Sequence, residues 1–125
     1  MTKRPALSKA ELQIARTLWD LGEASGRQVH SALPKGRSIE FPTVQTYLRR
    51  LEEKGYVSAS LIGRTRVYKP RVRPRTVIRE TVDEFVDQLF DGNALPLMRH
   101  LVEERGMTAE ELDELRRLVD QWEQS

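Results

Sequence analysis

Residues 41–57 read FPTVQTYLRRLEEKGYV, and this stretch predicts a helix whose two faces differ in chemistry. Val44, Tyr47, Leu48 and Leu51 recur at helical spacing, so one face is apolar and is expected to pack into a core. The opposite face and its flanks carry proline, hydroxyl, amide and guanidinium groups, and acidic side chains come only near the end of the stretch. A plain solvated helix usually carries a mixture of Glu and Lys. The composition therefore favours contact with a negatively charged partner.

The charge is distributed unevenly along the chain, with a basic front half and an acidic back half. Among its 125 residues, residues 1–75 hold 16 Lys and Arg against 6 Asp and Glu, whereas residues 76–125 hold 5 against 13. A basic front half indicates a polyanionic partner, although two solvated surfaces of opposite sign are the alternative. The chain has no cysteine, which excludes thiolate metal sites and disulfides. It has neither a signal sequence nor an apolar run of about 18 residues, so we expect a cytoplasmic protein.

The front half contains signals for three helices. Capping boxes at Ser8 and Ser25 open the first two, and a glycine ends the first. Pro34 and Gly36 then interrupt the chain, and Pro42 suits the first turn of a third helix because proline lacks an amide hydrogen. The helices are expected at about residues 9–21, 26–33 and 42–54, and the first is expected to bury Leu12, Ala15, Leu18 and Trp19.

After the third helix the hydrophobic period changes from helical to alternating, which predicts a β-hairpin. Its turn is expected at Gly63–Arg64, which gives the hairpin a basic tip. The apolar face of the hairpin is expected to hold Val57, Ala59, Leu61, Val67 and Lys69. The next five residues, RVRPR at 71–75, are expected to form an extended connector rich in arginine.

Three further helices are expected in the acidic half, at about residues 76–90, 95–105 and from 108 onwards, the last opened by a capping box of Thr108 and Glu111. Three short helices cannot bury their own apolar faces, so a second copy of the same region is the expected partner. The residues predicted to form this dimer contact are Ile78, Val82, Phe85, Leu89, Leu97, Leu101, Leu112, Leu115, Val119 and Trp122.

The order helix, helix, helix, hairpin predicts a mainly α (α+β) chain. Residues 1–75 are expected to form a winged helix-turn-helix DNA-binding domain, followed by a helical dimerisation region at residues 76–125. In this architecture the third helix enters the major groove and the hairpin lies over the DNA backbone. The predicted base-reading residues are Thr43, Gln45, Thr46 and Arg49, and the predicted backbone contacts are Pro42, Arg50, Arg64, Arg66 and Arg71.

Several stretches resemble repressors of the penicillinase-repressor type, the BlaI/MecI/CopY group. They are LSKAELQIARTLWDLGEAS, TVQTYLRRLEEKGYV, GRTRVYKP and the later DEFVDQLFDGNALPLMRHLVEERGMTAEELDELRRLV. The resemblance implies a homodimer that binds a palindromic operator in double-stranded DNA and represses transcription. Members that respond to β-lactams are cut at an Asn-Phe bond, where this chain has Arg99-His100-Leu101-Val102, and copper-responsive members carry a cysteine cluster that it lacks. The inducing signal is therefore open.

No other chemistry is indicated. The two histidines, His30 and His100, have no metal-ligand spacing between them, and the glycines form no phosphate-binding loop. We therefore expect no enzymatic activity, no cofactor and no metal. Two other classes of function stay open at this point: a protein-interaction adaptor built on the winged-helix scaffold, and a small-molecule sensor with a pocket between the two halves.

Overall fold

The computed structural model describes residues 4–34 and 39–124, and it confirms the expected fold class. Three helices and a hairpin come first, followed by further helices, and the chain divides into two compact units, Met1–Thr81 and Val82–Ser125. Gly36, predicted to interrupt the chain, lies outside the described residues. Within the described ranges, no helix has the length and apolar character needed to cross a membrane.

The three front helices begin and end where local signals place them. Their bounds are α1 Lys9–Leu21, α2 Gly26–Ala32 and α3 Phe41–Glu53. Both predicted capping boxes are present, since the side chains of Ser8 and Ser25 each accept a hydrogen bond from the amide three residues ahead. Gly22, with a φ of 83°, ends α1 and donates its amide hydrogen to the carbonyl of Leu18.

The core of the front unit lies among these helices, and the prediction for α1 was partly wrong. Leu12 and Trp19 are only half-buried, whereas Ile14 is fully buried. The buried stripe is shifted because Glu11 lies inside it, at helical spacing from Ile14 and Leu18. The largest fully buried side chains are Ile14, Leu18, Val29, Val44, Leu48 and Leu51.

The predicted hairpin is confirmed, with strands β2 Val57–Ile62 and β3 Thr65–Pro70 joined at Gly63–Arg64. A two-residue strand, β1 Ala24–Ser25, pairs with the other edge of β3 to complete an antiparallel sheet of order β1-β3-β2. The hairpin is called the wing below. The short strand β1 has no counterpart in the sequence prediction.

The predicted face of β3 was wrong by one residue. Ile62 pairs with Thr65, so a turn of two residues places Ala59 opposite Tyr68. Tyr68 therefore shares the inner face with Ala59 and is buried, whereas Lys69 is exposed. A shift of one residue in register exchanges the two faces of a strand, which is why the alternating pattern alone was insufficient.

The remaining helices are α4 Pro74–Phe90, α5 Ala94–His100 and α6 Ala109–Glu123. α4 begins within the stretch predicted as an extended connector, because proline fits the first turn of a helix. The helix predicted at 95–105 consists of α5 and a π-helical turn at Leu101–Arg105. The predicted capping box of Thr108 and Glu111 opens α6.

Candidate nucleic-acid interface

Helix α3 is fixed in rotation by its buried side, which determines the residues that it presents outward. Val44, Leu48 and Leu51 are buried in the core of the front unit. Three of the four predicted base-reading residues lie on the exposed side, namely Thr43, Gln45 and Arg49. Together they offer a hydroxyl, an amide and a guanidinium group, which cover both donor and acceptor functions.

The other predicted contacts on α3 are more constrained. Thr46 is half-buried, and its hydroxyl donates a hydrogen bond to the carbonyl of Pro42 at 3.1 Å. Its hydroxyl proton is therefore engaged within the helix. Arg50 is exposed, and its guanidinium carbon lies 5.7 Å from the centroid of the Tyr47 ring. Pro42 is exposed in the first turn of the helix.

The start of α3 is held by an aromatic cluster that the sequence did not reveal. The guanidinium carbon of Arg27 lies 4.5 Å from the centroid of the Phe41 ring, and the His30 ring lies edge-on to Phe41 with 6.0 Å between the ring centroids. His30 also makes a 2.9 Å hydrogen bond through Nε2 with the carbonyl of Ile39. Two residues of α2 thus fix the chain where it enters α3, and this gives His30 a structural role.

The end of α3 is held by a buried ion pair. Lys54 Nζ lies 2.7 Å from Glu11 Oε1 and 2.9 Å from the carbonyl oxygen of Ala6, and Glu11 is only 2% exposed. Burial raises the pKa of Glu11, but hydrogen bonds from Lys54 and Ser8 and the charge of Lys54 outweigh it, so its pKa lies below the ordinary value. Helix α3 is therefore joined to α1 by a charged contact.

The arginines of the wing differ in their contacts. Arg64 lies in the exposed turn and makes no hydrogen bond or ion pair with the residues that the structure describes. Arg66 donates through Nη2 to both carboxylate oxygens of Glu52 at 2.9 and 3.2 Å. Arg71, after the wing, is exposed, and its backbone amide donates to the carbonyl of Tyr56 at 2.9 Å.

These elements surround a basic depression of about 400 Å³. It lies between the start of α2, the outer side of α3 and the wing. Phe41 and Tyr68 contribute its aromatic lining, and Gln45 lies among the polar residues. Its four arginines are Arg27, Arg49, Arg64 and Arg66. Such a concentration of positive charge in a concave surface attracts a polyanion.

The predicted dimer residues lie on α4, α5, α6 and the π-helical turn. Leu97, Leu101, Leu112 and Leu115 are half-buried. The others are exposed, by 46% to 78% of their surface, and they are Ile78, Val82, Phe85, Leu89, Val119 and Trp122. Across the part of the chain that the structure describes, no group of three His, Asp or Glu side chains is placed to hold a metal ion.

Comparison with known proteins identifies the family. The family model described as penicillinase repressor matches residues 7–121. The chain belongs to the penicillinase repressor family. It is 26% identical to the penicillinase repressor of Bacillus licheniformis over 97% of this chain and 94% of the relative. It is 33% identical to the transcriptional regulator BlaI of Mycobacterium tuberculosis over 98% of this chain and 89% of the relative.

Among solved structures, the chain resembles the monomeric form of Bacillus licheniformis BlaI in complex with the blaP half-operator. The TM-score is 0.50 at 32% identity, and the match covers 59% of this chain and 90% of that one. Members of the penicillinase repressor family are DNA-binding transcriptional repressors and not enzymes. The chain is accordingly a DNA-binding transcriptional repressor with a winged-helix fold.

Proposed function

We propose that this repressor acts as a homodimer on a palindromic operator, with one copy of α3 in the major groove of each half-site. The observation that carries the proposal is the contrast between the two units. Met1–Thr81 presents a rigidly held polar helix beside a basic wing, and Val82–Ser125 leaves its apolar side chains exposed. The first is suited to DNA and the second to another copy of itself.

Base reading is assigned to the exposed side of α3. Arg49 is suited to guanine and Gln45 to adenine, because each can make two hydrogen bonds to the base edge in the major groove. Thr43 adds a hydroxyl and a methyl group near the start of the helix. The proton of the Thr46 hydroxyl is directed to Pro42, so Thr46 is left to offer its methyl group to a thymine or a lone pair to a donor.

Backbone contacts are assigned to the residues around this helix. Arg64 at the wing turn and Arg71 after the wing are exposed, and their long side chains, which have no fixed partner among the described residues, can reach phosphates. Pro42 and Arg50 are also exposed on α3, at positions where the DNA backbone beside the major groove would lie. Because phosphate neutralisation releases counterions, binding is expected to weaken steeply as salt rises.

Dimer formation is assigned to the helices of the back unit and the adjoining end of α4. The exposed apolar residues recur at helical spacing, as in Val82, Phe85 and Leu89 on α4. A soluble monomer rarely exposes so many large apolar side chains without a use for them. Symmetric dimers are the commonest soluble oligomers, and a two-fold axis lets one set of faces cover itself.

The symmetry of the dimer sets the form of the operator. A two-fold axis places two α3 helices in successive major grooves, about 34 Å apart or a multiple of that distance. The half-operator complex of the relative from Bacillus licheniformis supports one winged-helix unit per half-site. Each half-site contact then raises the effective concentration of the second, which is how two weak contacts give one tight complex.

Two measurements on the full chain test the proposal together. Sedimentation equilibrium over a series of protein concentrations is expected to give a dimer mass. Titration of a labelled random duplex is expected to show binding that falls linearly in log affinity against log salt. A monomer at every concentration would exclude the dimer, and the absence of salt-dependent duplex binding would favour a protein-interaction adaptor instead.

A further inference from the structure

The two arginines of the wing have different surroundings, although both were expected to contact phosphates. Arg64 lies in the two-residue turn, whereas Arg66 is the second residue of β3. Arg66 pairs with Leu61 across the hairpin and lies two residues from the buried Tyr68, so it shares the inner face of the sheet. Its guanidinium carbon lies 6.0 Å from the centroid of the Tyr68 ring. The backbone therefore directs Arg66 towards α3.

Glu52 meets Arg66 from the last turn of α3. One guanidinium nitrogen contacts both carboxylate oxygens, at 2.9 and 3.2 Å, and the Glu52 side chain is 31% exposed. The Arg66 side chain is itself 55% exposed, so a phosphate could approach its other guanidinium nitrogens, but it would then lie beside the negative charge of Glu52. Arg64 has no such competitor among the described residues. The two arginines of one hairpin are thus not electrostatically equivalent.

We propose that Glu52 and Arg66 form a clamp that fixes the wing against the recognition helix α3, and that Arg64 is the phosphate contact of the wing. Arg66 is then a positioning residue, which acts through the location of Arg64. The proposal rests on the proposed function, because the wing matters only if it lies on DNA.

The hairpin needs such a contact because its tip is supported by few other residues. The two strands and their two-residue turn project from the domain, and the residues of the tip, Ile62 and Arg64 among them, are exposed. The β1 strand secures β3 only at Val67 and Tyr68, which leaves Arg66 as the side chain nearest the tip with an ion pair to α3. A tie at that position limits movement of the tip relative to α3. Positioning of this kind affects affinity without adding a counterion release.

The experiment uses the full chain and a duplex selected from random sequence by the wild-type protein, with affinity measured over a range of salt. Arg64→Ala is expected to lower the salt slope by about one unit. Arg66→Ala and Glu52→Gln are each expected to weaken binding about two- to fivefold with an unchanged slope, and the double variant should lose no more than either single variant.

A second double variant separates the clamp from a phosphate contact. Glu52→Leu with Arg66→Met removes both charges but keeps apolar contact between wing and helix, and the charge interaction of an exposed ion pair contributes little by itself. Operator affinity and salt slope are expected to return to the wild-type values. A slope lowered by one unit in Arg66→Ala, and still lowered in the Leu/Met variant, would establish Arg66 as a phosphate ligand and overturn the clamp.

The clamp can also be observed without DNA, which separates its failure from that of the proposed function. Backbone amide relaxation of wing residues is expected to show greater motion in Arg66→Ala than in the wild type, with near wild-type motion in the Leu/Met variant. Wing motion unchanged by Arg66→Ala would overturn the clamp even if every variant bound DNA. Loss of salt-dependent binding by the wild type itself would refute DNA binding and leave the relaxation result standing.

Discussion

The two units of the chain differ in the burial of their apolar side chains. The front unit packs them into a core in which six large side chains are fully buried, and even its charged residue Glu11 is buried and paired. Between Val82 and Gln124 no described residue is buried, although the helices there are well capped and amphipathic. The described helices of the back unit therefore leave large apolar side chains uncovered.

Removing the back unit gives the largest expected effect. Truncation after Thr81 keeps Val77, which is 4% exposed, within the front unit. Because the second half-site would no longer be engaged through a linked copy, operator affinity is expected to fall by about 10²–10⁴-fold. Fluorescence anisotropy with the selected operator measures this, and circular dichroism controls for folding. Unchanged affinity would mean that residues 82–125 make no contact between two chains that contributes to operator binding.

Alanine substitutions at one buried and one exposed apolar residue distinguish the two units. Leu48→Ala is expected to lower the free energy of unfolding by about 2–5 kcal/mol at any protein concentration, because it opens a cavity in a filled core. Phe85→Ala, at a residue 46% exposed, is expected to raise the dimer dissociation constant instead. Chemical unfolding at several concentrations distinguishes the two. Concentration-independent destabilisation by Phe85→Ala would place its partner within the same chain.

The buried ion pair of the front unit predicts a pH dependence. Glu11→Gln is expected to cost about 2 kcal/mol, since breaking a buried pair costs roughly 3–5 kcal/mol and the Lys54 side chain is 25% exposed. The folded-state pKa of Glu11 is lowered, so its contribution is complete above the ordinary glutamate pKa and is lost as pH falls through the folded-state value. Urea unfolding from pH 7 to pH 3 is expected to show a smaller acid loss in the variant. Equal losses would contradict the assignment.

A further expected effect is on base reading. Arg49→Ala is expected to cost about 1–3 kcal/mol on the operator and much less on random DNA, because a bidentate base contact carries sequence information. Arg117→Ala on α6, another exposed arginine, is the control and is expected to change neither. Competition between operator and random duplexes measures the preference. Equal losses of Arg49→Ala on both duplexes would assign Arg49 to phosphate alone.

Much of the fold was predictable because its signals are local. The capping boxes, Gly22 and Pro42 each act within one turn, and the helix bounds of the front unit follow from them. The face of β3 was not predictable, because it depends on which residues pair across the turn. The position of Ile14 in the core was missed because Glu11, which a pattern counts as polar, is buried beside it.

The exposure of most candidate residues was predictable from the sequence, whereas their contacts with other elements were not. The composition of residues 41–57 led to Thr43, Gln45 and Arg49, and the structure places all three on the exposed side of α3. Phe41 with its neighbours on α2 and the pairing of Glu52 with Arg66 depend on contacts between distant segments. No spacing within one element predicts such contacts.

Selection of bound sequences from a random DNA pool by the full chain tests whether the repressor reads DNA as a symmetric dimer. A homodimer is expected to select an inverted repeat whose half-sites are related by a two-fold axis and centred about 34 Å apart, or a multiple of it. The chain truncated after Thr81 is expected to select the same half-site alone. A single asymmetric motif from the full chain, or no enriched sequence at all, would contradict DNA reading by a symmetric dimer.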